Sequence, residues 1–425
     1  MKIFIVFILT AIAATAYSQD TVRVMHYNLM YYGQTTSYCT TSNNPQAAKD
    51  GYLKTIVKYV NPDIFTANEI APNTATHQHI LDYVMNTGGV THYNKGTMTN
   101  SSGSDLSNGM FYNADKLALL SQHNITTTVR DINFYNFYFK AENLATTHDT
   151  AYLTCIIAHL KAGSNASDSL TRSTQTNILM NYLNSLNKKA NYLLMGDFNV
   201  YTGDEQCFQN LINYANADVR FYDPVNMTGD WNSNYLYCDY HTQSTHTSST
   251  GCFATGGMDD RFDFILESGY LKYGTEHFQY INGSYKSIGQ DGNHLNDAIN
   301  YGTNNSAPDS IIEALYGMSD HLPVVLNLSL DQAVGMNDPQ IENFDVTFPN
   351  PVADNLHVSI SLESYAQLEI SIVNLLGQTV YSCSRELSEA TAGLEIPAGI
   401  LNQGFYFLNV SDGKHKPVTK KFIKK

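Results

Sequence analysis

The sequence predicts an α/β fold over residues 20–330, followed by a small β-sandwich over residues 346–425. Three patterns carry this reading. Short apolar runs bounded by turn residues alternate with segments whose apolar residues recur at helical spacing. The run Tyr192-Leu193-Leu194-Met195 ends abruptly in Gly196-Asp197-Phe198-Asn199, as a buried strand does when it delivers polar groups to its C-terminal rim. Beyond residue 346 the helical spacing disappears, and short alternating strands remain, several of them separated by turns at Gly377, Gly404 and Asp412-Gly413.

A chain of 425 residues accommodates two folded units plus a processed segment. Residues 1–19 begin Met1-Lys2, run apolar from Ile3 to Ala13 and reach the small-residue pattern Ala14-Thr15-Ala16, which predicts a cleaved export leader. That run is shorter than the roughly 20 apolar residues a bilayer requires. No other stretch is long enough, so no transmembrane segment is expected.

Taken in order, Val22–Leu29 reads as a strand ending near Asn28, and Asn44-Pro45 as the cap of a helix with Leu53, Ile56, Val57 and Val60 on one face. Asn61-Pro62-Asp63 stops that helix, and Ile64–Glu69 is a second strand with an acid at its end. Strand-like runs follow at 109–112, 117–120, 134–139 and 151–159, the last ending in His159-Leu160-Lys161. Helical spacing returns over 170–186, ahead of the strand 192–199. Thr202 to Asp204 is expected to cap a short helix that buries Phe208, Leu211 and Ile212. A polar insert over 221–256 precedes the strand 261–266, and a second over 270–315 precedes Ser319-Asp320-His321 and the strand 322–328. Residues 331–345 read as a linker, and strands are expected at 355–360, 367–374, 378–383, 404–410 and 416–423.

The formal net charge is −15, and only 16 of the 24 Lys and Arg lie within 20–330. This argues against a broad basic surface for nonspecific nucleic-acid binding, but not against an enzyme that holds one phosphate with a metal cation and a few donors. Six cysteines in an exported chain permit disulfides without building a disulfide scaffold. Cys238 and Cys252 flank a Ser/Thr/His-rich loop and are the expected pair; Cys155 and Cys207 fall on a strand and a helix face.

Each polar strand end is unremarkable alone: Glu69 as an exposed terminus, His159 as a satisfied core histidine, Ser319-Asp320 as a turn. At successive strand ends they suggest convergence on one site. As a set they resemble the endonuclease/exonuclease/phosphatase superfamily over about residues 20–330. The resemblance rests on Gly196-Asp197-Phe198-Asn199 and Ser319-Asp320-His321-Leu322-Pro323, supported by Asn28, Pro62-Asp63-Ile64 leading to Glu69, His159-Leu160-Lys161 and Arg261-Phe262-Asp263. It implies a four-layer α/β sandwich, deoxyribonuclease I-like, and magnesium or manganese held by Glu69 with Asn28 and Asp320. It further implies His321 as general acid/base oriented by Asp263, Asp197 orienting or deprotonating water, and Asn199 and His159 donating to phosphate oxygens. Lys161 is weighed between phosphate contact and a solvated rim. Arg172 is read as a helix-surface pair, Tyr112 as core, and the Gly289–Asn293 loop as at most a wall of the site.

A second resemblance covers about 346–425. Phe348-Pro349-Asn350-Pro351, Asn355-Leu356, Asn374 with Leu376-Gly377-Gln378, and Gly404-Phe405-Tyr406 resemble the type IX secretion C-terminal sorting domain. It implies the type IX machinery as partner and a secreted or cell-surface product. The Lys-rich end, Lys420 to Lys425, reads as a solvated edge strand. The expected protein is a monomeric, secreted, divalent-metal-dependent phosphodiesterase, foremost a nuclease on extracellular DNA or RNA. The alternatives are a phosphatase or lipid phosphodiesterase of the same fold, on inositol phosphates or sphingomyelin, or a non-catalytic surface protein.

Overall fold

In the computed structural model, residues 20–330 and 344–425 are described, apart from 142–143, 145–149, 249–251, 363–365, 376–377, 388–389 and 412–417. The expected leader at 1–19, most of the expected linker at 331–345, and the turns expected at Gly377 and Asp412-Gly413 lie outside the described residues. The chain divides into two compact units between Gln332 and Ala333.

The first unit opens with β1 (Thr21–Tyr32), α1 (Gln46–Val60), β2 (Ile64–Ile70), α2 (Thr74–Ile80), β3 (Tyr93–Lys95) and β4 (Ser107–Asn113). It continues with β5 (Leu117–Ile125), β6 (Ile132–Phe139), β7 (Tyr152–Ile157), α3 (Ala166–Leu186), β8 (Tyr192–Asp197) and α4 (Gln206–Ile212). The last elements are β9 (Phe221–Tyr222), β10 (Asp263–Ser268), α5 (Gly269–Tyr273), β11 (Phe278–Tyr280), β12 (Lys286–Ser287), α6 (Asp309–Met318) and β13 (Val324–Leu330).

Two mixed sheets result. One has the order β11-β13-β1-β2-β4-β3, with β12 also paired to β13; the other has the order β5-β6-β7-β8-β10-β9. Strand alternation separates their faces. Val22 and Val24 of β1 point to a core shared with Cys155, Ile157, Leu193 and Met195 of the second sheet, whereas Met25 and Tyr27 point away, to Leu53, Ile56, Leu315 and Met318 of α1 and α6. On the far side, Ile156, Leu194 and Phe264 pack with Leu179 and Leu183 of α3 and Phe208 and Leu211 of α4. The order is therefore helix, sheet, sheet, helix, the four-layer α/β sandwich expected.

Helix α1 begins one residue later than the sequence reading, because Pro45 is extended (ψ 121) and stands at the N-cap position, outside the first turn. It ends where Asn61 turns left-handed (φ 50), and its buried face holds Leu53, Ile56, Val57 and Val60 as expected, together with Lys49. Helix α3 starts at Ala166 through a reciprocal Asn165–Asp168 capping box. Helices α2 and α6 were not anticipated; α6 lies inside the segment read as a polar insert, where Ile311, Ile312, Leu315 and Met318 form an apolar face.

The disulfide differs from expectation. Cys252 pairs with Cys39, 213 residues away, across a Cα–Cα distance of 4.7 Å, while Cys238 is buried as a free thiol. A bridge needs two Cα atoms within about 7 Å. Tertiary packing sets that approach, and the shared sequence neighbourhood of Cys238 and Cys252 does not.

The second unit holds β14 (Phe344–Thr347), β15 (Asn355–Leu362), β16 (Ala366–Asn374), β17 (Thr379–Leu387), β18 (Ala390–Pro397), β19 (Gly404–Ser411) and β20 (Val418–Lys424). Sheets β14-β15-β18 and β17-β16-β19-β20 share a core of Leu356, Val358 and Ile360 with Leu368, Ile370, Leu408 and Phe422. This is the small sandwich predicted, with β14 and β18 in addition. Strand β20 lies at a sheet edge with Lys420 and Lys421 exposed.

Candidate active site

Register brings the polar strand ends together. Strands β1 and β2 run parallel with Asn28 level with Asn68, which leaves Glu69 one residue further toward the same rim. In the other sheet, antiparallel β8 and β10 set Asp197 opposite Asp263, and His159 lies just beyond the end of β7, the parallel neighbour of β8. His321 lies three residues before β13, the antiparallel partner of β1. Asn28, His159, Asp197, Asn199, Asp263, Asp320 and His321 are all buried.

Their side chains form one network. Asn28 Nδ2 donates to Glu69 Oε1 at 3.1 Å and to Asp197 Oδ2 at 2.9 Å. His159 Nε2 lies 3.5 Å from the same Asp197 oxygen and 3.8 Å from Glu69 Oε1. His321 Nδ1 meets Asp263 Oδ2 at 2.7 Å, and its Nε2 faces Asp197 Oδ2 at 3.8 Å. Asp197 Oδ1 accepts from the Asn199 backbone N–H at 2.9 Å. Asn199 has left-handed backbone (φ 51), and its Nδ2 reaches Leu160 O at 3.4 Å. Asp320 Oδ2 instead accepts from Ala254 N at 2.8 Å. Glu69, His159 and Asp197 each offer a ligand atom within 4.8 Å of the others, a grouping that could hold a metal ion; Asp320 stands outside this trio.

Burial governs the charges. Asp197 is pushed up to about 7, chiefly by desolvation, with His321 opposing and Asp263 and Glu69 adding. Desolvation, reinforced by Asp320, also raises Glu69. Burial holds His159 well below the usual histidine range, helped by Arg130 and His321, so its ring is neutral. Burial likewise favours a neutral His321, but Asp263 and then Asp197 outweigh it and hold the ring well above its ordinary value.

Several residues of the network escaped the sequence reading. Asn68 Oδ1 accepts from Asp197 N at 2.8 Å. Its Nδ2 donates to Asn108 Oδ1 at 2.7 Å, and Asn108 Nδ2 donates to Asn133 Oδ1 at 2.8 Å, so a chain of amides links the sheets behind the rim. Only the adjacency of Asn68 to Glu69 hinted at this. Gln243, from the unassigned insert, places its amide 2.7 Å from His321 Nε2, and Thr242 Oγ1 accepts from Asp263 N at 3.1 Å. Arg130, between β5 and β6, donates to Leu160 O at 3.1 Å, and its buried Nε has no partner among the described residues.

Other expectations resolve plainly. Lys161 pairs with Asp168 at 2.9 Å. Arg172 is buried and closes on Glu205 at 2.7 Å, so its pair lies inside the unit and not on a helix surface. Tyr112 packs edge-on against Phe137 in the core between the sheets. Gly289 sits against Leu315 and Leu322, and Gln290 donates to His241 O at 3.2 Å, which places that loop behind the Thr242-Gln243 segment.

Two family models match the chain. Residues 27–321 match the Endonuclease/Exonuclease/phosphatase family, and residues 346–425 match the Secretion system C-terminal sorting domain. Solved structures similar to this chain include an endonuclease/exonuclease/phosphatase family protein from Bacteroides thetaiotaomicron (15% identity, 74% of this chain and 100% of that one, TM-score 0.46). Others are the human Nocturnin catalytic domain with bound sulfate (14%, 73% and 97%, TM-score 0.47) and a mannosyl-6-phosphatase from Bacteroides thetaiotaomicron (16%, 72% and 99%, TM-score 0.44). A search of curated proteins found no significant match. The second unit is a type IX sorting domain, which directs the protein to export and to a secreted or cell-surface location, and among the described residues no helix is long and apolar enough to cross a membrane. The first unit is a hydrolase of phosphate esters, and the chain belongs to the endonuclease/exonuclease/phosphatase family.

Proposed function

We propose that the protein is a secreted, divalent-metal-dependent phosphodiesterase whose substrate is extracellular DNA or RNA. One observation carries this reading: a single Asp197 oxygen faces His321, which Asp263 braces, on one side and the Glu69–His159 pair on the other. Proton-transfer groups and an anionic cation site thus meet at one point.

The donor set suits a hard cation, because Glu69 and Asp197 offer carboxylate oxygens, and the neutral His159 ring beside them keeps an N–H for a phosphate oxygen. Glu69 would hold Mg2+ or Mn2+, with Asn28 beside it and Asp320 contributing negative charge. Such an ion would polarise the phosphate and stabilise charge gained during in-line displacement. Asp197, raised toward neutrality, is suited to take the proton of the attacking water. Asp263 raises the His321 ring well above its ordinary value, which suits it to give a proton to the leaving oxygen. Asn199 and His159 would donate to nonbridging oxygens, with Arg130 adding positive charge at the rim.

With Lys161 and Arg172 engaged by carboxylates, few cations remain for a highly phosphorylated substrate, which favours a singly charged diester. A lipid diester is the second reading, supported by Tyr235 and Leu236, which are 71% and 74% exposed at one turn of the 221–256 insert. The test is to assay the purified protein on DNA, RNA, sphingomyelin vesicles and inositol phosphates, with Mg2+, Mn2+ or EDTA. Metal-dependent nucleic-acid cleavage is expected; cleavage of lipid alone would replace the first reading with the second, and inactivity on all four would refute both.

A further inference from the structure

Behind the site lies a buried lysine that the mechanism does not use. Lys49 sits on the inward face of α1 and is 2% exposed. Its Nζ donates to Leu29 O at 2.8 Å and to Met30 O. Asn44 Nδ2 donates to Tyr31 O at 3.2 Å and to Met30 O at 3.4 Å. A lysine is seldom fully buried, and this one is bonded to main-chain carbonyls.

Those carbonyls belong to an unusual stretch. Met30 (φ 42) and Tyr31 (φ 51) are consecutive non-glycine residues in left-handed backbone, a conformation that side chains disfavour and that persists only when the surroundings enforce it. It sends the carbonyls toward α1 and the N–H groups toward the site. Met30 N donates to Asn28 Oδ1 at 2.9 Å, and Tyr31 N donates to Glu69 Oε2 at 3.1 Å. Asn28, oriented by that bond, spends its Nδ2 on Glu69 and Asp197. Glu69 is itself left-handed (φ 61), so strained backbone meets on both sides of the carboxylate.

We propose that Lys49 and Asn44 are positioning residues. By receiving the carbonyls of Leu29, Met30 and Tyr31 they hold the inverted turn whose N–H groups, with Asn28, fix the Glu69 carboxylate for cation binding. The inference rests on the reading of Glu69 as the metal carboxylate. Burial pulls the Lys49 amine down to about 7, with Asp320 and Glu69 opposing.

The test uses the full chain and measures Mn2+ binding by electron paramagnetic resonance alongside turnover. Lys49→Met keeps the apolar stem and removes the three donors. It is expected to retain the wild-type circular dichroism, bind Mn2+ at least about 10-fold more weakly, and lose kcat at saturating Mn2+ with KM nearly unchanged, as loss of outer-shell support does. Asn44→Ala, at a less confined position, is expected to weaken Mn2+ severalfold and carries the test should Lys49→Met fail to fold. Wild-type Mn2+ affinity and kcat in a folded Lys49→Met, or in Asn44→Ala where only that variant folds, would overturn the proposal. Glu69→Gln separates the two levels. Undiminished Mn2+ binding in Glu69→Gln would refute the metal reading and this inference with it, whereas lost binding there and normal binding in the other variants would refute this inference alone.

Discussion

Arg172 and His321 are both buried and both held by carboxylates, yet their surroundings close in opposite ways. The Arg172 guanidinium spends Nε and Nη2 on Glu205 and Nη1 on Lys161 O and Gly163 O. One cation meets one anion, and each nitrogen has a partner. Around His321, three carboxylates crowd together, Asp263 Oδ1 and His159 Nδ1 have no partner among the described residues, and Asp197 and Glu69 are pushed up. The first arrangement pins the start of α3 to the loop after β7 and to the cap of α4. The second leaves lone pairs and negative charge unspent, as the proposed cation and substrate site requires.

The sharpest way to break this contrast is to remove the groups that carry the unspent chemistry. His321→Ala and Asp197→Asn should each lower kcat by about 10²–10⁴-fold, the usual contribution of positioned acids and bases, with an unchanged circular dichroism spectrum. Near-normal rates in both would reduce the site to another structural cluster.

Arg172→Ala should do the reverse, destabilising the fold by about 3 kcal/mol in urea titrations because the largely buried Glu205 is left uncompensated. Paired Arg172→Met and Glu205→Gln should recover part of that loss; no recovery would mean that the guanidinium acts through its carbonyl contacts alone.

Glu267 offers an intermediate case. It is 2% exposed, one oxygen lacks a partner among the described residues, and burial raises its carboxyl from 4.5 to about 8, with Lys272 opposing and Asp223 adding. An acid whose pKa rises on folding contributes stability that is complete below about pH 4.5 and lost as pH rises toward 8. Between pH 5 and 7 this amounts to roughly 2–3 kcal/mol at 1.36 kcal/mol per unit. Glu267→Gln should flatten the dependence, read as the urea midpoint across that range; a parallel pH slope in the variant would show that Glu267 is already ionised in the fold.

The smallest expected effect concerns the cysteines. Non-reducing peptide mapping should link Cys39 to Cys252, and Cys238→Ser should leave that map unchanged. A linked Cys238–Cys252 peptide would restore the pairing suggested by the sequence.

Much of this was legible in the chain. Apolar runs ending in Asn28, Glu69, His159 and Asp197 announced strands with polar tips, and Asp320-His321 announced the start of another. The structure gathers most of these groups into one network, while Asp320 turns to Ala254 N and lies apart from the Glu69–His159–Asp197 trio. Gln243, Thr242 and Arg130 were invisible because loops carry no periodicity that reveals which way a side chain faces. Lys49 was hidden differently: it falls on the apolar face of α1 in sequence, where a lysine reads as an exception and not as a hydrogen-bond donor to the neighbouring strand.

The alternation of buried strands and helices, the change to a β-sandwich after residue 346 and the identity of the polar residues at the strand ends are readable in the chain, because each depends on local periodicity and on residue chemistry. That Cys39 rather than Cys238 meets Cys252, that Arg172 is sealed by Glu205, and that Asp197 stands between His321 and Glu69 follows from three-dimensional packing. Those are distances between segments remote in the chain, set by how two sheets pack and register, and no local pattern encodes them.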